Sequence, residues 1–91
     1  MKQRPKTVKK PWGRFDEYAK NEKVTVKIIT VNTGGILSLQ SHKNRKELWV
    51  ALDSGLTATI NNREKKLAKG QIAIIRKHAK HRIQASRKAR F

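Results

Sequence analysis

Apolar and polar positions alternate along most of the chain in short runs, and turn residues separate the runs. Alternation with period two is the mark of strands with one buried face. Val24 to Val31 is dense in β-branched residues, which fit a pleated, half-buried surface. Asn32-Thr33-Gly34-Gly35 is a turn, and Ile36 to His42 is a second expected strand. Lys43 to Lys46 connects it to a third, Glu47 to Leu52, which ends at the turn Asp53-Ser54-Gly55. Leu56 to Ile60 alternates again, and Asn61-Asn62 suits a tight hairpin. Short strands follow at Lys65 to Leu67 and Ile72 to Ile75, and a last one begins near His81. Phe15 to Lys23 is the one stretch read as a helical turn, on the strength of Asp16-Glu17. No internal repeat is present. Many short strands with turns between them predict an all-β sandwich or barrel.

Composition narrows this further. The 91 residues suffice for one small domain. No apolar run approaches the ~20 residues of a membrane helix, and no apolar stretch follows the basic start as a secretory signal requires. No membrane partner is expected, and the expected compartment is cytoplasmic. The absence of Cys excludes disulfides, thiolate metal sites and Cys nucleophiles. The net charge of +17 is unevenly spread: residues 1–23 carry +5, residues 24–62 carry +2 and residues 63–91 carry +10. Such a field concentrates phosphates and nucleic acids, so weak, non-specific polyanion binding is expected, with a merely solvated basic surface as the alternative. Residues 1–9 and 86–91 have the composition of mobile tails around a domain at 10–85.

Four residues form a candidate metal site. Gln40 and His42 are two apart, so on a strand they share a face. Glu47 opens the next strand and can sit opposite them, and His81 begins a later strand. Imidazole and carboxylate are standard ligands for divalent transition metals, and an amide oxygen can add a further one. The same residues could equally be ordinary polar groups on an exposed sheet face.

At these positions the sequence resembles a family. Gly34-x5-Gln40-x-His42-x4-Glu47, followed by Gly55, is similar to the first cupin motif, with Gln in place of its first His. Gly70-x5-Arg76 and then His81 resembles the second motif. Leu37 to Val50 resembles the LSLQxHxxRxExWxV signature of the cupin domain of type II mannose-6-phosphate isomerases, a domain often fused behind a mannose-1-phosphate guanylyltransferase domain. Pro11-Trp12-Gly13-x-Phe15, Val26-Lys27 and His81-Arg82 match further family positions. Lys10, Ile28 and Arg76 depart from them, and the Glu47–Gly55 spacing is one residue longer. The resemblance implies a small cupin barrel, a double-stranded β-helix or jelly roll. The family's strand after the HR pair has no clear counterpart, so the sheet is expected either to lack its last strand or to have that edge covered in a homodimer. No nucleotidyltransferase domain lies within these residues, so guanylyltransferase activity is not expected of them.

The resemblance also implies a reaction: interconversion of mannose 6-phosphate and fructose 6-phosphate through an enediol. It places a divalent transition metal, zinc in the first instance, on Gln40, His42, Glu47 and His81. Arg45, Lys27 and Arg82 fall at matched positions and are candidates for the phosphate. Lys27 and His78 are candidates for the proton-transferring base. Trp49 shares parity with Glu47 and is expected inside, and Trp12 is expected to pack an N-terminal segment onto the barrel. Two alternatives stay open: a cupin that binds a metal and a sugar or anion without turnover, and a basic β-barrel that binds nucleic acid. Only five aromatic residues, none of them clustered, speak against the last.

Overall fold

The computed structural model describes residues 5–19 and 24–91. Among these residues nine strands follow one another: β1 (Lys6–Lys10), β2 (Gly13–Ala19), β3 (Val26–Val31), β4 (Glu47–Val50), β5 (Leu56–Ile60), β6 (Arg63–Leu67), β7 (Ile72–Ile75), β8 (His81–Ala85) and β9 (Ala89–Arg90). They build an antiparallel sheet in the order β1-β2-β3-β9, a β4-β7 pair and a β6-β5-β8 sheet. The alternation seen in the sequence sets which face is buried. On β8, His81, Ile83 and Ala85 are buried while Arg82 is exposed. Leu56, Leu67, Ile75, Ile83 and Val31 are the largest fully buried side chains. Each contributes roughly 1.5–3 kcal/mol by leaving water. Asn61 and Asn62 have φ of 48° and 69°, the left-handed pair of a primed hairpin turn, as their identity suggests.

Three expectations are corrected. Phe15 to Lys23 contains no helical turn among its described residues: Gly13–Ala19 is strand, paired to β1 on one side and β3 on the other. Its acidic residues serve ion pairs on the sheet: Asp16 lies 3.3 Å from Arg14 on the same strand, and Glu17 lies 3.7 Å from Lys27 across on β3. Lys20 to Lys23 lie outside the described residues.

The tails are the second correction. Residues 6–9 belong to β1, while residues 1–4 lie outside the described set. At the other end, β9 pairs with β3, and the Phe91 side chain is buried. The Phe91 backbone exchanges bonds of 2.7 and 3.0 Å with Ile29. The Leu52 amide donates to the Arg90 carbonyl at 2.9 Å, so β9 is held on both sides. A strand thus follows the His81-Arg82 pair and covers this edge of the sheet, paired with β3 at Ala89 and Arg90.

Third, Ile36 to His42 is not a continuous strand. It follows β8 through two isolated bridges, Ile36 with Gln84 and Gln40 with His81. A ladder is interrupted where Leu37 turns inward onto the core while Ser38 and Leu39 stay exposed.

Candidate metal centre

β4 and β8, with the segment beside β8, bring three candidate ligands together. One donor atom each from His42, Glu47 and His81 lies within 4.8 Å of the other two. His42 Nε2 is 3.3 Å from Glu47 Oε2, and His81 Nε2 is 3.9 Å from Glu47 Oε1. Two ligand atoms about 2.1 Å from one tetrahedral ion stand roughly 3.4 Å apart, so the spacing fits a single small cation. Donor chemistry fits too: two imidazoles and a carboxylate suit a divalent transition metal.

The surroundings prepare each ligand. His81 Nδ1 is 2.8 Å from the Ala79 carbonyl oxygen. A carbonyl only accepts, so Nδ1 carries the proton and the Nε2 lone pair points into the site. Trp49 Nε1 donates to Glu47 Oε1 at 2.9 Å. Phe91 packs edge-on against Trp49, with ring centroids 5.2 Å apart, and Trp49 meets His81 edge-on at 5.5 Å. Phe91 thus braces the indole that orients the carboxylate. The His78 amide donates to the His42 carbonyl at 2.7 Å and fixes the backbone of that ligand.

Arg45 stands between two of the ligands. Its Nε lies 3.0 Å and its Nη2 2.8 Å from Glu47 Oε2, and Nη2 is also 2.9 Å from His42 Nε2. An arginine only donates, so His42 accepts through Nε2 and its own proton is on Nδ1. Burial and then the Arg45 charge hold the His42 pKa below the ordinary imidazole value, which keeps the ring neutral and able to ligate. Burial raises the Glu47 pKa, but the Trp49 bond and Arg45 outweigh it and leave the carboxyl below its usual range.

The remaining candidates divide. Gln40 is paired through its backbone with His81, at 2.8 and 2.9 Å, and lines the same small cavity as Glu47 and His81. Lys27 shares the inner face of β3 with Ile29 and Val31. Its ammonium lies 4.5 Å from the Phe15 ring centroid, and its charge reaches His42. Arg82 borders the cavity, but it alternates with buried His81 and Ile83, so its side chain leaves β8 on the other face. His78 is exposed, at a φ of 70°. The structure therefore gathers His42, Glu47, His81 and Arg45, sets Gln40 and Lys27 around them, and leaves Arg82 and His78 outside. Sequence reasoning missed the polar role of Trp49 and the support from Ala79 and Phe91. The two-residue spacing of Glu47 and Trp49 was the available signal for the first; the backbone carbonyl of Ala79 leaves none.

Fold and side-chain cluster together define a cupin domain. Among solved structures, KdgF from Halomonas sp. superposes with a TM-score of 0.84 at 10% identity, covering 93% of this chain and 78% of that one. The Schizosaccharomyces pombe Cnp3 cupin domain gives 0.76 at 15%, covering 85% and 58%. At such identities the likeness is one of fold. Sequence goes further: the Mannose-6-phosphate isomerase C-terminal family matches residues 1–90, and the chain belongs to that family. Mannose-1-phosphate guanylyltransferase of Klebsiella pneumoniae is 33% identical over 81 residues, which is 89% of this chain and 17% of that protein. The Salmonella typhimurium guanylyltransferase ManC is 36% identical over 77 residues, 85% of this chain and 16% of that protein. The chain thus spans about a sixth of the length of these curated relatives. No helix among the described residues is long and apolar enough to cross a membrane.

Proposed function

We propose that the chain is a metal-dependent sugar-phosphate isomerase domain acting on mannose 6-phosphate and fructose 6-phosphate. The observation that carries this reading is the convergence of His42, Glu47 and His81 donor atoms within 4.8 Å, with the Arg45 guanidinium at their open side. A divalent ion held by these three residues, with Gln40 beside them, would polarise the sugar carbonyl and stabilise the enediolate. Arg45, more than half exposed at its side chain, is placed to take the phosphate in bidentate fashion. Lys27 is the better placed of the two candidate bases, because it lies on the face of β3 that carries Ile29 and its charge reaches His42, whereas His78 stands on a turn outside the cluster. The 1,2-proton shift needs a group that can both accept and return the proton near the operating pH.

A second reading rests on a different observation. The cavity beside Glu47 and His81 measures about 70 Å³, below the roughly 300 Å³ at which small-molecule pockets begin. That volume favours a domain which binds a metal and a small anion without turnover. The discriminating experiment is metal analysis of the purified protein followed by an isomerase assay with added divalent ions. Turnover abolished by His81→Ala supports the isomerase; a metal-loaded protein without turnover leaves the non-catalytic cupin.

The expected homodimer belongs to the same proposal, on a different surface. β9 already occupies the edge assigned to a partner. The outward face of the β4-β7 pair instead carries Leu48, Val50, Ile72 and Ile74, all exposed and in cross-strand register, with no charged side chain from either strand. In a chain of net charge +17, this is a face that a second copy can approach without strong repulsion.

A further inference from the structure

A cavity of about 530 Å³ opens on the outer face of the β2-β3-β9 sheet, away from the metal centre. The two sites lie on opposite faces of that sheet. Arg14, Thr30 and Arg90 sit opposite one another across β2, β3 and β9, and all three line this cavity. Their neighbours Ile29 and Phe91 line the small cavity at Glu47 instead. Strand alternation requires this separation.

The lining is strongly cationic. Arg14, Lys69, Arg87, Lys88 and Arg90 stand against the single carboxylate of Asp53, a net of +4. Two of the five already have partners. Arg90 binds Asp53 with a full fork, Nε at 2.8 Å and Nη2 at 3.1 Å, while its amide donates to the same carboxylate at 3.0 Å. Arg14 lies beside Asp16. Lys69, Arg87 and Lys88 form no ion pair with any described residue.

These cations are mounted on a fixed segment. The Ser86 amide donates to the Gly55 carbonyl at 2.9 Å, and the Lys88 amide to Thr33 Oγ1 at 3.1 Å. Between them, the Arg87 stem lies against Gly55 so closely that an added Cβ there would stand 2.5 Å from Arg87 Cγ. Only a glycine, here at a φ of 102°, leaves room for that side chain. The segment read from composition as a loose basic tail is thus tied down at alternate residues.

We propose that this cavity binds an anion carrying two or three linked phosphoryl groups, as in inorganic tripolyphosphate or the phosphate chain of a nucleoside triphosphate. A lining that is mostly charged disfavours an apolar ligand, and pocket volumes of 300–1,000 Å³ hold molecules of nucleotide size. A single phosphate ester carries about 1.5–2 negative charges, half of what the lining offers. Arg87 supplies a planar fork for neighbouring phosphate oxygens, and Lys69 and Lys88 supply point charges.

The test is calorimetric titration of the 91-residue protein at fixed ionic strength with inorganic tripolyphosphate, a nucleoside triphosphate, orthophosphate and a single-stranded oligonucleotide. Tripolyphosphate should bind at least tenfold more tightly than orthophosphate. Arg87→Gln with Lys69→Gln should weaken it tenfold or more, whereas Lys65→Gln with Lys66→Gln, which removes the same charge from β6, should weaken it less than threefold. Lys69→Gln alone, on an exposed turn, retains the test if the double variant folds poorly. A nucleoside triphosphate that binds more tightly than tripolyphosphate assigns a share to the base; equal affinity assigns the site to the phosphate chain. Equal losses in both double variants, or no preference over orthophosphate, overturn the proposal. So does an oligonucleotide whose affinity grows with length and exceeds that of tripolyphosphate, because an extended polyanion surface then replaces the site. Tripolyphosphate binding should persist in His42→Ala, which separates this outcome from failure of the metal centre.

Discussion

Arg45 puts two nitrogens on one oxygen of Glu47, Nε at 3.0 Å and Nη2 at 2.8 Å, and the same Nη2 reaches His42 Nε2 at 2.9 Å. The guanidinium therefore spans two of the three atoms a metal would use, and any divalent ion competes with it. Charge-assisted bonds of this kind are worth about 1.5–3 kcal/mol when buried and less at an exposed rim. Arg45→Gln should raise divalent-ion affinity about tenfold, measured by competition with a chromophoric chelator, while weakening sugar-phosphate binding. Unchanged metal affinity would show that Arg45 and the ion do not meet.

The same contact sets the titration of His42. Burial and the Arg45 charge both disfavour imidazolium, so the ring binds fewer protons in the folded protein than in the unfolded one. Its contribution to stability is present above the ordinary imidazole value near pH 6.5 and is lost as pH falls below it. Metal affinity should accordingly persist somewhat below the ordinary imidazole value and decline in more acid solution. An NMR titration should show the His42 ring titrating below free imidazole in the native protein and moving upward in Arg45→Gln.

Trp49→Phe removes the indole bond to Glu47 while retaining most of the packing against Phe91. Glu47 then keeps its burial with one donor fewer, so its pKa should rise. A carboxylate with a depressed pKa contributes stability above its unfolded value near 4.3 and loses it as pH falls. Urea unfolding should find the variant about 1–2 kcal/mol less stable at pH 7, with the gap closing towards pH 3. Metal affinity should fall roughly tenfold, as when other groups that orient a ligand are removed.

The cupin fold was legible in the sequence, whereas three of its local elements were not. His42 and Glu47 were legible because the ligand spacing and the strand period of two agree, and His81 because it opens a strand after a glycine turn. Arg82 was drawn from its matched family position, yet the same period of two turns its side chain to the face opposite His81. β2 was misread because Asp16 and Glu17 look like a helix start, whereas their partners Arg14 and Lys27 lie on the same and the neighbouring strand. β1 and β9 were hidden by lysine and arginine: β1 is an edge strand, where a sheet tolerates such charge, and β9 turns Ala89 inward and Arg90 outward, so composition alone resembles a tail. Phe91, the one apolar residue in the last turn of chain after Ala89, was the overlooked sign that the end is buried.

Gly13 is where the backbone leaves least room. It opens β2 at a φ of 149°, and an added Cβ would lie 1.9 Å from the Thr30 carbonyl oxygen. That oxygen belongs to the neighbouring strand and cannot yield without breaking the β2-β3 register, and Gly13 pairs directly with the buried Val31. Gly13→Ala should cost about 3 kcal/mol or more, a large share of the stability of a small domain. Gly70→Ala, where nothing lies within 4 Å of the added Cβ, retains only the strain of its φ of 86° and should cost about 1–2 kcal/mol. Chemical denaturation of the two variants separates steric exclusion from backbone strain.

The last prediction concerns assembly. Leu48 faces Ile74 and Val50 faces Ile72 across the β4-β7 pair, and all four are between 39% and 62% exposed. Apolar groups exposed in register on one small sheet mark an interaction surface more often than a solvated one. A two-fold axis through the pair would set each row against its own copy, which makes the patch self-complementary. Trp49, Ala73 and Ile75 on the inner face of the same strands pack into the core, and Trp49 bonds Glu47, so the dimer should also stiffen the ligand-bearing β4. Light scattering across a concentration series should find a dimer whose dissociation is little affected by salt, because the contact is apolar. Ile74→Lys places like charges at the axis and should yield a monomer with its fold intact by circular dichroism. A native protein that stays monomeric at the highest concentration reached, or an Ile74→Lys variant that remains dimeric, would remove this face as the contact between copies.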